Sequence, residues 1–103
     1  MYIEKAKSEW YHLKKAEEQV GTFRIMQVGN GIGKIKQLEV ARHVSSGEIL
    51  HIFELIQTYA EKESMQELHV ESHSAALDHV LKHQQFQLHD PIRRLWIYRV
   101  NHR

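Results

Sequence analysis

The chain has 103 residues, room for one domain, 1–103, rather than two. It has no Cys, which excludes disulfide scaffolds, thiolate metal sites and cysteine nucleophiles. Lys and Arg number 14 against 13 Asp and Glu; that balance lacks the basic excess of a dedicated nucleic-acid binder, so no nucleic-acid partner is expected. No apolar run approaches the roughly 18 residues of a membrane span, and the opening MYIEKAKSEW lacks the apolar stretch of a signal peptide. No membrane partner is expected, and the cytoplasm is the expected compartment. Nine His is the one unusual count.

In chain order, residues 1–8 are polar and read as a lead-in. Residues 9–16, EWYHLKKA, carry aromatics without a helical stripe. In QVGTFRIMQV, Phe23 and Ile25 alternate with Thr22, Arg24 and Met26, the pattern of a strand. Asn30-Gly31 predicts a hairpin with a type I′ turn. The next strand, GKIKQLEVAR, places Ile35 one residue out of phase with Leu38 and Val40. A bulge at Lys36-Gln37 would produce that slip.

After Val44 the period changes. Ile49, Ile52, Phe53, Ile56, Tyr59 and Ala60 form one stripe, which predicts a helix. Ser45 and Glu48 match the S-x-x-E capping box that would start it. MQELHVE alternates as a strand, and HSAALDHVLKHQ puts Ala76, Leu77, Val80 and Leu81 on one helical face. A short extended piece at 86–88 and the Asp90-Pro91 turn lead into RLWIYRV, whose apolar run predicts a strand covered on both faces. The order β-β-β-α-β-α-β-β implies an α/β (α+β) sheet with helices packed on it. A parallel crossover should join the third strand to the fourth.

His79 and His83 stand at i, i+4 on the second helix, with His69 and His73 nearby, but no H-E-x-x-H is present. Solvated surface histidines are the expected role, and no metal site is assigned. GNGIG joins two strands, whereas a phosphate-binding glycine loop must run from a strand into a helix. The serines lie outside any G-x-S-x-G elbow and serve better as helix caps. Trp10, Tyr11, Trp96 and Tyr98 read as core or interface residues.

This order of elements, with Ile35, Leu38 and Val40 on the strand that ends the meander, resembles the GNAT superfamily of acyl-CoA-dependent N-acyltransferases. The resemblance spans residues 9–100. It implies a GNAT-like mixed sheet of about six strands with two helices. Nothing in the chain corresponds to the first strand and the two helices that start the usual family domain. It also implies acetyl-CoA as the acyl donor and a small-molecule or protein amine as acceptor. The cofactor would lie against Leu38, Val40, Ala41, Arg42, His43, Val44, Ser45, Ser46, Gly47 and Ile49. Its pyrophosphate would meet the start of the long helix, where unpaired N–H groups and the positive dipole end favour an anion. Glu39 and Lys36 are the candidate catalytic residues on the meander-ending strand.

The departures are specific. The family loop Q/R-x-x-G-x-G/A is replaced by RHVSSGEI, with the single glycine Gly47 and with Glu48 in the first turn. Arg42 and His43 are the cations that would compensate. Leu81 stands where the family often has a Tyr that protonates the departing thiolate, and Gln85-Phe86 replaces Gly-Phe. Tyr59 or Tyr98 would have to replace that acid. Two functions are therefore expected in competition. One is an N-acetyltransferase acting on an amine. The other is a catalytically degenerate binding or regulatory module, dimeric through an exposed sheet edge and an uncovered apolar face.

Overall fold

The computed structural model describes residues 1–100. Its elements are β1 (Tyr2–Lys5), β2 (Trp10–Lys15), β3 (Glu18–Gly29), β4 (Ile32–Val40), α1 (Ser46–Lys62), β5 (Glu67–Glu71), α2 (Ala75–His83), β6 (Gln87–Asp90) and β7 (Leu95–Arg99). The strands form one sheet of seven, in the order β1-β2-β3-β4-β5-β7-β6. β4 and β5 are parallel; every other pair is antiparallel.

The seventh strand corrects the reading of residues 1–8 as a lead-in, and with it the expectation that a first strand is lacking. Four residues are too short for a period to show. Pairing makes the strand, as Ile3 lies opposite Leu13, and no helix separates β1 from β2 among the described residues. The β3–β4 hairpin forms at Asn30-Gly31, but only Gly31 has positive φ (75°), so the turn is not type I′. A register shift between Gln27 and Gly29 supplies twist at the hairpin end in its place.

Because side chains alternate along a strand, the register sorts the sheet into two faces. Tyr11, Phe23, Ile25, Ile35, Val70 and Trp96 line one face in consecutive strands. Trp10, Arg24 and Lys36, and then Lys34, His69 and Ile97, line the other. Both helices pack on the first face. α1 buries Ile52, Phe53, Ile56 and Ala60 there, with Tyr59 edge-on to Tyr11. α2 buries Leu81, and its Asp78 accepts a hydrogen bond from Trp96 Nε1 at 3.1 Å. Phe86, just beyond α2, meets Phe53 edge-on at 6.0 Å. Each fully buried Phe, Ile or Leu contributes about 1.5–3 kcal/mol.

The second face carries no helix among the described residues. This corrects two expectations. β7 is covered by helices on one face only. The uncovered face is not apolar: Lys34 donates to Glu71, Arg99 reaches Glu67, and His69 hydrogen-bonds Glu67 across it.

Candidate functional site

β4 carries the irregularity that makes a site. Thr22 pairs with Glu39 and Arg24 with Lys36, so Phe23 alone faces both Gln37 and Leu38. The bulge is real and sits one residue beyond the expected position. Gln37 takes φ of 53°, a left-handed conformation that costs a non-glycine residue about 1–2 kcal/mol.

Parallel pairing of β4 with β5 covers only Ile32 to Ile35 against Glu67 to Val70. β4 continues to Val40 with no strand on that side among the described residues. The gap is a slot of about 940 Å³. Ile35 and Val70 form its crotch; Ile49, Ile52 and Phe53 of α1 form one wall; Ala76, Leu77 and Val80 of α2 form the other. The lining is largely apolar, with Lys34, Lys36, Gln37, Ser46, Glu71, His73, Ser74 and His79 as polar exceptions.

At one end stands the α1 N-terminus. Ser45 caps it and accepts from Glu48 N at 3.2 Å, while Glu48 Oε1 accepts from Ser45 N at 3.2 Å. Lys15 Nζ donates to Glu48 Oε2 at 2.7 Å. The Lys15 hydrogen bond, then those of Ser45, lower the Glu48 carboxyl to about 2. Ser46 N and Gly47 N have no acceptor among the described residues and remain available to a ligand. At the β5 edge of the slot, Glu71 accepts from Lys34 at 2.5 Å and from Arg93 at 2.9 Å. The Lys34 bond leads the causes that hold Glu71 below the ordinary carboxylate range.

The sequence candidates divide. Leu38, Val40, Ser46, Ile49 and Lys36 line the slot. Ala41, Val44 and Ser45 flank it in the β4–α1 connection and Gly47 in the first turn of α1; Arg42 and His43 are exposed in the connection, His43 lying 3.6 Å from Glu18. Glu39 pairs across from Thr22 and is not among the lining residues. Leu81 is fully buried against the sheet. Tyr59 lies outside the lining, bonded to Tyr11 at 3.0 Å and Glu63 at 3.2 Å, and burial is the main cause pushing its phenol up. Tyr98 packs on Phe86.

Sequence reasoning missed the far wall. Ala76, Leu77 and Val80 were legible as an apolar helical face, yet on α2 only Leu81 is fully withdrawn from solvent. The face is wider than the core it covers, and the remainder borders the slot. His73 and His79 line it as well. Among the described residues no cluster of metal-ligating side chains occurs and no helix is long and apolar enough to cross a membrane.

No protein-family model and no curated protein matches the chain. Solved structures do. An IAA acetyltransferase from Bacillus cereus aligns with a TM-score of 0.68 and 17% identity, over 79% of this chain and 56% of that one. The N-acetylglutamate synthase from Neisseria gonorrhoeae, complexed with coenzyme A and N-acetyl-glutamate, aligns with a TM-score of 0.72 and 16% identity, over 91% and 26%. The ribosomal-protein-S18-alanine N-acetyltransferase from Escherichia coli aligns at 0.72 and 11%, over 91% and 70%. The chain thus spans about half the length of the first of these and a quarter of the second.

Proposed function

The chain has the GNAT acyl-CoA N-acyltransferase fold, and from that premise we propose that it is an N-acetyltransferase that takes the acyl-pantetheine arm of acetyl-CoA between β4 and β5. The observation that carries this reading is the slot itself. An apolar channel bordered by an unpaired strand edge suits an extended arm that is apolar along its length and carries amide groups able to add to the edge. The residues fit such a group. Ser46 N–H and Gly47 N–H, at the positive end of the α1 dipole, are free to hold a phosphate oxygen. Lys15 balances the Glu48 charge beside them.

When bound, acetyl-CoA supplies an activated carbonyl; the amine nitrogen forms the new C–N bond as the C–S bond breaks. In this reading Ile49, Ile52, Leu77 and Val80 exclude water from the arm. Of the two β4 candidates, we assign proton handling to Lys36, because it lines the slot and Glu39 does not. Its Nζ would donate a proton to the departing sulfur and regain one from the water that takes the proton lost by the amine. Arg42, exposed beside the α1 start, is a cation for the outer phosphates, and His43 beside it offers a ring N–H.

Two observations favour a second reading, a binding or regulatory module without chemistry. The α2 position expected to hold an acid is the buried Leu81, and a carboxylate stands at the α1 N-terminus. A second copy would then meet the end strands β1 and β6 rather than the charged face.

Calorimetric titration with acetyl-CoA tests the proposal. Binding at a hundredfold excess over Kd stabilises by about 2.7 kcal/mol. Leu77→Trp, which fills the slot, should remove the binding heat while far-ultraviolet dichroism stays unchanged. An absence of heat for the unmodified protein at millimolar acetyl-CoA would overturn the proposal. Binding without turnover across an amine panel would leave the module reading.

A further inference from the structure

The slot exists because β4 leaves β5 at the bulge, and the bulge needs Gln37 in a backbone conformation that glutamine disfavours. The side chain of Gln37 shows what holds it. Its Oε1 accepts from an Arg24 guanidinium N–H at 3.2 Å. Arg24 is in turn fixed twice at the start of β2: its other terminal nitrogen donates to Glu9 Oε1 at 3.2 Å, and its guanidinium lies 5.6 Å from the centre of the Trp10 ring. Arg24 Nε is sealed from solvent and has no acceptor among the described residues. The structure thus retains a buried unpaired donor and keeps the other two nitrogens on Glu9 and Gln37. Arg24 itself does not line the slot; Gln37 does.

From this geometry we infer that Arg24 is a positioning residue for the slot: it latches Gln37, and with it the β4 bulge, to the Glu9–Trp10 segment, and so sets the opening that receives the ligand. The latch lies on the helix-free face, so it acts across the sheet from the helices that wall the slot. Its role as an aid to ligand binding rests on the acetyl-CoA reading; its role in holding the bulge does not.

The experiment separates the two. Amide hydrogen exchange over residues 36–40 is measured without ligand in the unmodified protein, Arg24→Met, Gln37→Gly and the double variant. Arg24→Met should accelerate exchange at 36–40 about tenfold while β5 and β7 keep their protection. A loss spread evenly over the sheet, or none at 36–40, would overturn the inference. Glycine adopts the left-handed conformation without a latch, so Gln37→Gly in the Arg24→Met background should return exchange at 36–40 towards that of Gln37→Gly alone. A double variant no better than Arg24→Met would also overturn it. Titration with coenzyme A as the probe should follow the same order, with Kd about tenfold weaker in Arg24→Met and recovered in the double variant. If the unmodified protein binds no coenzyme A, the acetyl-CoA reading fails and the exchange data alone judge the latch.

Discussion

The two faces of the sheet solve the same problem by different means. On the helix-covered face Phe23, Ile25, Ile35, Val70 and Trp96 sit almost entirely out of water, with Trp96 bonded to Asp78 of α2. On the open face the strands carry long charged side chains whose stems lie over the sheet and whose heads pair across it, as Lys34 does with Glu71. Burial is non-directional and large per residue; exposed ion pairs contribute little each. The fold is therefore held from one side, and the other side is kept soluble and in register.

Substitutions should expose this asymmetry. Phe23→Ala, at a position with no solvent exposure, should cost about 3–5 kcal/mol in urea denaturation. A cost below 1 kcal/mol would mean the covered face is not the principal core. Leu81→Tyr sharpens the comparison at the site. Because Leu81 is fully buried, a phenol there has no room and should lower stability by about 1–3 kcal/mol, without raising turnover. A gain in turnover at unchanged stability would show that this position reaches the slot after all.

Lys34→Met on the open face should shift stability by under about 1 kcal/mol, since its partner Glu71 keeps Arg93. A loss as large as that of Phe23→Ala would contradict the division of roles. The pH dependence is finer still. Glu67 and Glu71 are held low on the open face, chiefly by His69 and Lys34. A lowered folded pKa contributes stability that is complete above the unfolded value, 4.5, and is lost as pH falls below it towards the folded pKa. Thermal melts should thus drop below pH 4.5, and Glu71→Gln should flatten that drop. An unchanged slope would remove Glu71 from the account. Last, Glu48→Gln should strengthen coenzyme A binding several-fold by removing an anion from the α1 start. Weaker binding would mean that the capping box orders the site more than its charge opposes the ligand.

The long helix, its capping box at Ser45 and Glu48, the hairpin at Asn30-Gly31 and the slip between Ile35 and Leu38 were all legible, because each depends on neighbours within a few residues. β1 was not, because four residues become a strand only when Leu13 and its neighbours lie opposite. The slot was half legible. Its β4 and α1 side follows from Leu38, Val40, Ser46 and Ile49, while its α2 wall could not be told from core by period alone. Nor did spacing separate Lys36 from Glu39, since the bulge changes which residues after Ile35 share a face.

Local pattern by itself determined the elements after β1, their order and the apolar stripes. Tertiary structure decided that both helices share one face, that the other is charged rather than apolar, and that β4 parts from β5. The physical reason is that alternation marks two faces without saying which of them a helix will cover. The parting of two strands depends on contacts such as Arg24 with Gln37, which lie 13 residues apart in the chain and meet only when β3 and β4 pair.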